Sequence, residues 1–564
     1  MNRYRHPALL AAAITLASAC TGSHDDPEAL MQAASPPEAA LGVNLLEGLG
    51  DHHFAVTSDH PDVQRWFDQG LMLAYGFNHD AAERSFLRAT ELDPGCAMCW
   101  WGAALVLGPH VNAAMDPENN ARAWSRLQKA RSLASGASDR ERAFIESLSA
   151  RYAEDPPGDR RPLDQAYADA TRVLMQGRPD DLDAATFHAE ALMDLQPWDY
   201  YDDRRRPKGN TAEIVSVLES VISRDPDHAG ALHLYVHAVE ASDDPQRGVA
   251  AADRLRELIP GSGHLVHMPA HIYSRVGRWH DAVIANQRAI EADDAYLAMC
   301  RGNTGGVYPL GYVPHNHHFL WFAASMEGNS AIARNAALET ARRTDLPELM
   351  RQPGFAALQH YWMTPWFDRV RFGRWDEIVG VPNPAPDLPY VSAIWHYAEG
   401  TAAARQDRIA DAERHLAALR KLADDRAMEK LMVWDRYPLS HSARIAERSL
   451  SAEVASAGGD LDGAIVALRE AATIEDAIPY DEPPGWHAPV RHSLGALLLA
   501  DDRPVEAEAV YRAELDRNPA NGWSLRGLAQ SLQAQRRSHD AGEVQRQFEA
   551  AWQHADVDLV ASRL

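Results

Sequence analysis

Two pairs of histidines with identical spacing are the residues best placed to do chemistry. In HAGALHLYVHAVE, His233 and His237 stand four apart; in HLVHMPAHIY, His267 and His271 do the same, each 34 positions after its counterpart. Residues four apart share one face of a helix, so this spacing predicts two equivalent helices, each with two imidazoles on one stripe. Neutral imidazole is the commonest metal-binding side chain, and such a pair can aim both rings at one ion. A third source follows in VPHNHHF, where His317 and His318 stand beside His315 and His318 falls at about the repeat position of His233 and His267. Ligation by nitrogen alone suits copper or zinc. The expected metal ligands are therefore His233, His237, His267, His271, His317 and His318. Glu240, three after His237 on the same face, is an outer partner or base, and Asp225, His228 and His264 in the flanking turns are further candidates.

A second reading of the same residues stands beside this one. Counted from the nearby prolines, the four paired histidines occupy positions where a repeat helix ordinarily carries packing Leu and Tyr, and each ring could bond across a helix interface. Four polar rings in packing positions destabilise a fold unless every one finds a partner. Zinc peptidase chemistry is excluded by spacing, because that site needs a glutamate directly after the first histidine, and here Leu234 and Met268 follow. The chain also has no phosphate-binding loop, no nucleophile elbow and no CxxCH for covalent haem.

The elements that must carry these histidines are legible from residue 62 onward. In DVQRWFDQGLMLAYGFNHDAAERSFLRATELDP, which spans 62–94, Trp66, Gly70, Ala82, Phe86, Ala89 and Pro94 fall on the signature positions of a tetratricopeptide repeat, while Gln69 and Leu73 depart from it. Small residues at Gly70 and Ala82 let two helices of a hairpin approach, Trp66 and Phe86 fill the layer between them, and Pro94 ends the second helix. Pro226 and Pro260 repeat the 34-residue period around the histidine pairs. The chain resembles the tetratricopeptide family on these residues. More broadly, FNHDAAERSF, DPGCAMCWWG, HMPAHIYSRVGRW and YDEPPGW are similar to a group of exported bacterial tetratricopeptide proteins. No segment alternates with the period of a strand. The resemblance implies an all-α fold, a tetratricopeptide-repeat α-solenoid of stacked helical hairpins with irregular loop insertions.

The insertions lie at 196–210, rich in aromatic and charged residues, and at 300–319, rich in glycine and turns. Trp198, Tyr200 and Tyr201 in the first of these suit a pocket wall, and both loops are expected to fold over the histidines. The irregular GVPNPAPDLPY at 380–390 is expected to divide an amino-terminal repeat region, 56–380, from a carboxy-terminal one, 390–564. Cys96 and Cys99, at a helix start where a disulfide is sterically awkward, leave three readings open: that disulfide, a metal or redox role, or two buried thiols.

The first twenty residues have the three parts of an export signal: Arg3 and Arg5, the apolar Ala8 to Ala17 run, and small residues before Cys20. Ala-Ser-Ala-Cys resembles a bacterial lipobox, which implies lipidation of Cys20, and Thr21 after it implies sorting to the outer membrane of a Gram-negative envelope. Residues 21–55 are expected to be a flexible tether. The net charge is −25, and losing Arg3 and Arg5 with the leader would leave 53 basic against 80 acidic residues. No basic footprint exists for nucleic acid. Two functions follow as expectations: a lipid-tethered scaffold whose concave face holds a neutral or basic periplasmic or outer-membrane protein or peptide, or a copper- or zinc-dependent oxidoreductase, hydrolase or carrier.

Overall fold

The computed structural model describes residues 44–202, 204–300 and 306–564. The expected leader at 1–20, its Cys20 and the first part of the expected tether lie outside the described residues. The chain is all-α, built of antiparallel helical hairpins. Among the described residues the strands are a two-residue pair, Met432–Val433 with Tyr437–Pro438. No described helix is long and apolar enough to cross a membrane.

The helices gather into two compact units, one of residues 44–268 with 291–309, the other of 269–290 with 310–564. The expected division at 380–390 is corrected by this arrangement, since that segment lies inside the second unit. It is held there by the helix that follows it, where the Trp395 indole donates to the Val381 carbonyl at 2.8 Å.

The first unit opens on the hairpin of Val63–Tyr75 and His79–Leu92, followed by Ala97–Leu105. Phe86 is clasped between two glycines: a Cβ at Gly70 would stand 2.7 Å from its ring and one at Gly102 2.5 Å. Ordinary van der Waals contact would be impossible with any larger residue. Asn78 caps the second helix by accepting from Ala81 N. Cys96 and Cys99 form a disulfide at the start of Ala97–Leu105, where the Cys96 sulfur also accepts from Cys99 N.

Residues 44–55 are not a tether. Phe54 is fully buried against Phe67, Trp101 and Phe144. Leu46 N donates to Gln69 Oε1 at 2.7 Å, and Gln69 donates back to the Asn44 carbonyl. Just beyond, Thr57 places its amide and hydroxyl on the Glu141 carboxylate, each at 2.6 Å. One aromatic ring inserted into the helix layer, with polar side chains satisfying the adjoining backbone, overrides the polar composition on which the tether expectation rested.

In the second unit the hairpins run from Val313–Glu327 with Ser330–Thr344 to Gly522–Ala534 with Ser538–Ala551. Two carboxyls, the half-buried Glu475 and the buried Glu514, belong to its later helices. Burial pushes Glu475 up, with the charge of Glu514 adding to it, and burial pushes Glu514 up as well. A carboxyl raised in the fold leaves stability intact below its ordinary value of 4.5 and removes it as pH rises, because the unfolded chain ionises first. Glu514→Gln, which keeps an acceptor for the Asn518 amide, is therefore expected to raise stability at pH 8 by about 1–3 kcal/mol and to change it little at pH 4. Thermal unfolding across that range tests this; a stabilisation independent of pH would rule out titration as its source.

Candidate metal centre

Helix Ala229–Val239 carries His233 and His237, and the short helix Gly263–His267 carries His264 and His267. The first pair converges with His264. The three rings are 0%, 1% and 2% exposed, and one nitrogen from each lies within 4.8 Å of the others. Tetrahedral ligation at about 2.0–2.1 Å per bond needs nitrogens roughly 3.3 Å apart. His264 Nε2 and His233 Nε2 already stand 3.1 Å from each other.

Outer partners fix the tautomers. His233 Nδ1 lies 2.6 Å from the Tyr75 carbonyl oxygen, which can only accept, so Nδ1 holds the hydrogen and Nε2 keeps its lone pair. His237 Nδ1 likewise donates to Glu240 Oε1 at 2.8 Å. This is the arrangement in which a carboxylate or carbonyl orients a ligating imidazole. His264 is set from its backbone: its amide donates to the Tyr308 hydroxyl at 3.0 Å, and that hydroxyl donates to Asp293 Oδ1 at 2.8 Å.

The surroundings are aromatic and imidazole-rich. Phe77, in the left-handed region at φ 56°, sets its ring 4.5 Å from that of His233 and 5.6 Å from that of His264. A phenylalanine in that region costs about 1–2 kcal/mol. Two histidines not foreseen in the sequence complete the shell. His110 stacks on Phe77, and His79 packs on His110 with ring centroids 4.3 Å apart. Burial, aided by the Arg151 charge, pushes His79 down to about 4; burial and the neighbouring His79 charge push His110 down too. Both rings are therefore neutral at pH 7. The signal for them was slight, a single residue each in FNHD and PHVN. Of the 196–210 loop, Trp198 meets the His237 ring edge on, and the Tyr201 hydroxyl donates to the Ala238 carbonyl at 2.7 Å. Tyr200 is buried.

His267 is not among the three, and the other expected ligands, His271, His317 and His318, belong to the second unit. The repeat breaks at Met268, where Pro269 starts a new helix, Pro269–Arg275. His267 stays in the first unit with its ring 6.0 Å from that of His264, whereas His271 belongs to the second unit, where its Nδ1 pairs with Glu482. The expected 300–319 loop is helical from Val313, and His317 and His318 are buried within that helix in the second unit. His318 packs on Trp321 and Tyr361, at 5.4 Å and 4.5 Å between ring centroids. Among the flanking candidates, His264 is in the cluster. His228 instead caps its helix, its Nδ1 accepting from Ala231 N while Nε2 faces Asp183 and Thr186. Both of its nitrogens are thereby committed to protein partners, so the His52, Asp183 and His228 group is an ion-pair network rather than a second ligand set.

The fold and the cluster define a protein of helical hairpins whose first unit has an interior lined by histidine. No family model matches the chain, and no curated protein sequence matches it. Among solved structures it is similar, at 15% identity over 87% of this chain and 76% of that one, to a chain of the APC/C hetero-tetramer Cut9-Hcn1, with a TM-score of 0.30. It is also similar to the human IFIT1 dimer with m7Gppp-AAAA, at 11% identity over 89% and 92%, TM-score 0.31, and to yeast Tom70, at 11% over 86% and 90%, TM-score 0.28.

Proposed function

We propose that the chain is an exported, lipid-anchored metalloprotein built on a tetratricopeptide-type scaffold, in which His233, His237 and His264 hold a copper or zinc ion. The observation that carries this reading is the convergence of three buried imidazoles with two of their Nδ1 positions already bonded to oxygen acceptors. In the absence of an ion, His264 Nε2–H donates to His233 Nε2; moving that one hydrogen to Nδ1 turns the trio into three lone-pair donors. Exposure of no more than 2% shields the ion from bulk water. That suits a carried, structural or electron-transfer ion better than a hydrolytic one, which needs an open position for water and substrate. The Cys20 lipobox and its leader support the envelope address.

The test is the copper and zinc content of the full chain, purified in detergent without chelator, beside His233→Ala, His264→Ala and Glu240→Gln. The wild type is expected to hold an ion that both alanine variants lose and that Glu240→Gln binds about 10–100-fold more weakly, the usual loss with an outer partner. A wild type that takes up neither metal after incubation with each would overturn the metal reading. The repeat surface, as a docking site for a periplasmic protein or peptide, would then be the function to pursue.

A further inference from the structure

A different group of residues in the second unit has the makings of an open metal site. Glu327 is the last residue of helix Val313–Glu327 and is 2% exposed. Its Oε1 accepts from His280 Nδ1 at 2.7 Å, while its buried Oε2 has no hydrogen-bond partner. The His554 ring lies parallel to that of His280, with centroids 3.6 Å apart and planes 8° apart. One ligand atom from each of the three residues lies within 4.8 Å of the others.

The electrostatics ask for a cation. A helix C-terminus already carries about half a negative charge, and a buried carboxylate placed on it adds to that charge in a medium that solvates it poorly. The chain secures this geometry from both sides. Gly328, at φ 84°, turns the chain directly under Trp552, where a Cβ would stand 2.4 Å from the ring. Asp556 then accepts from Ser330 N and Ala331 N at 2.7 and 2.9 Å, and Asn329 donates to the His554 carbonyl. The segment bearing His554 is thus stitched to the turn that follows Glu327. In front of the three residues lies a cleft of about 510 Å³, whose walls include Trp279, Asp281 and Gln553.

We propose that His280, Glu327 and His554 form a zinc site with an open coordination position facing this cleft. Two imidazoles and one carboxylate are a donor set that zinc takes in sites that keep a position for water or a small ligand, and the mixed nitrogen and oxygen donors disfavour copper(I), which prefers soft ligands. To ligate, His280 moves its hydrogen from Nδ1 to Nε2, and one ring of the parallel pair turns out of the stack, since imidazole lone pairs lie in the ring plane and parallel rings cannot aim both at one ion; the 46% exposure of His280 leaves room for that turn. The site uses none of the first unit's histidines, so it stands or falls separately from the trio.

Equilibrium dialysis of the full chain against zinc, followed by metal counting, tests this. The wild type is expected to hold one more zinc than a His280→Ala/His554→Ala double variant, and Glu327→Gln to weaken that ion about tenfold or more, since even outer partners have effects of that size. Because His280 is 46% exposed, the single His280→Ala variant remains folded and serves if the double does not. Cobalt in place of zinc should give the visible absorption of a site below six-coordination, lost in the same variants. Equal zinc counts and affinities in wild type and His280→Ala would overturn the proposal, as would a six-coordinate cobalt spectrum.

Discussion

Replacing Asp183 with alanine is expected to lower the stability of the first unit by about 3–5 kcal/mol, the size found when one member of a buried ion network is removed. Asp183 sits in the first turn of helix Leu182–Asp194, where a carboxylate complements the helix dipole. Its Oδ1 accepts from the Tyr75 hydroxyl at 2.9 Å and from His52 Nε2 at 3.0 Å, and its Oδ2 from Arg140 at 3.0 Å. His228 Nε2 stands at 3.5 Å. Burial alone would raise this carboxyl, but the hydrogen bonds from His228 and His52 outweigh it and hold the group far below the usual range. Alanine takes the acceptor from the Tyr75 hydroxyl and His52 Nε2, leaves Arg140 with Asp181 alone and His228 with Thr186 alone, and so loosens Tyr75, whose carbonyl orients His233. Amide exchange of helix Leu182–Asp194 reads the effect locally, and Asp183→Asn, which retains an acceptor oxygen, should lose less. A loss below about 1 kcal/mol for alanine would show the network to be surplus to the fold.

Trp523→Ala is the second large effect, about 3–5 kcal/mol in the other unit. The indole is fully buried, and its Nε1 donates to the Ser325 carbonyl at 2.9 Å. One face receives the Arg371 guanidinium at 3.7 Å from the ring centroid, and Trp552 meets it at a right angle with centroids 5.4 Å apart. Burial pushes Arg371 down to about 9, so the aromatic face is part of what makes a cation tolerable there. Trp523→Phe keeps a face and most of the volume and should lose about 1–2 kcal/mol, mainly the Ser325 bond. Thermal unfolding of the three proteins decides it. If phenylalanine proves as damaging as alanine, the hydrogen bond rather than ring packing dominates.

The hairpins were legible because their constraints are local. Gly70, Ala82 and Phe86 mark a close helix approach by size and spacing alone, and the structure shows the clasp they imply, with Gly102 as its unforeseen second jaw. The histidine helices were legible in the same way, through a repeated spacing of four. Which rings would meet was not. Periodicity says which residues share a face, but Pro269 restarts the helix after Met268, so within the first unit it is His264 rather than His267 whose nitrogen meets those of the first pair. Phe54 escaped notice because one aromatic in a polar stretch leaves no periodic trace, and its contacts are made with helices far along the chain. His280, Glu327 and His554 come from three distant segments and carry no short motif at all. Only tertiary packing joins them.

The two units are interleaved in sequence, and this limits how the gene can be divided. The chain passes from the first to the second after Met268, returns after Ile290 and leaves again after Pro309, so helix Trp279–Met299 contributes to both. No single stop codon or protease cut yields either one whole. A fragment ending at residue 268 would lack Asp293 and Tyr308, and with them the hydroxyl that His264 N meets. Neither unit is therefore a portable cassette. Recombination that moved one without the other would break the histidine-lined interior, and the two halves must be inherited, expressed and degraded as one piece.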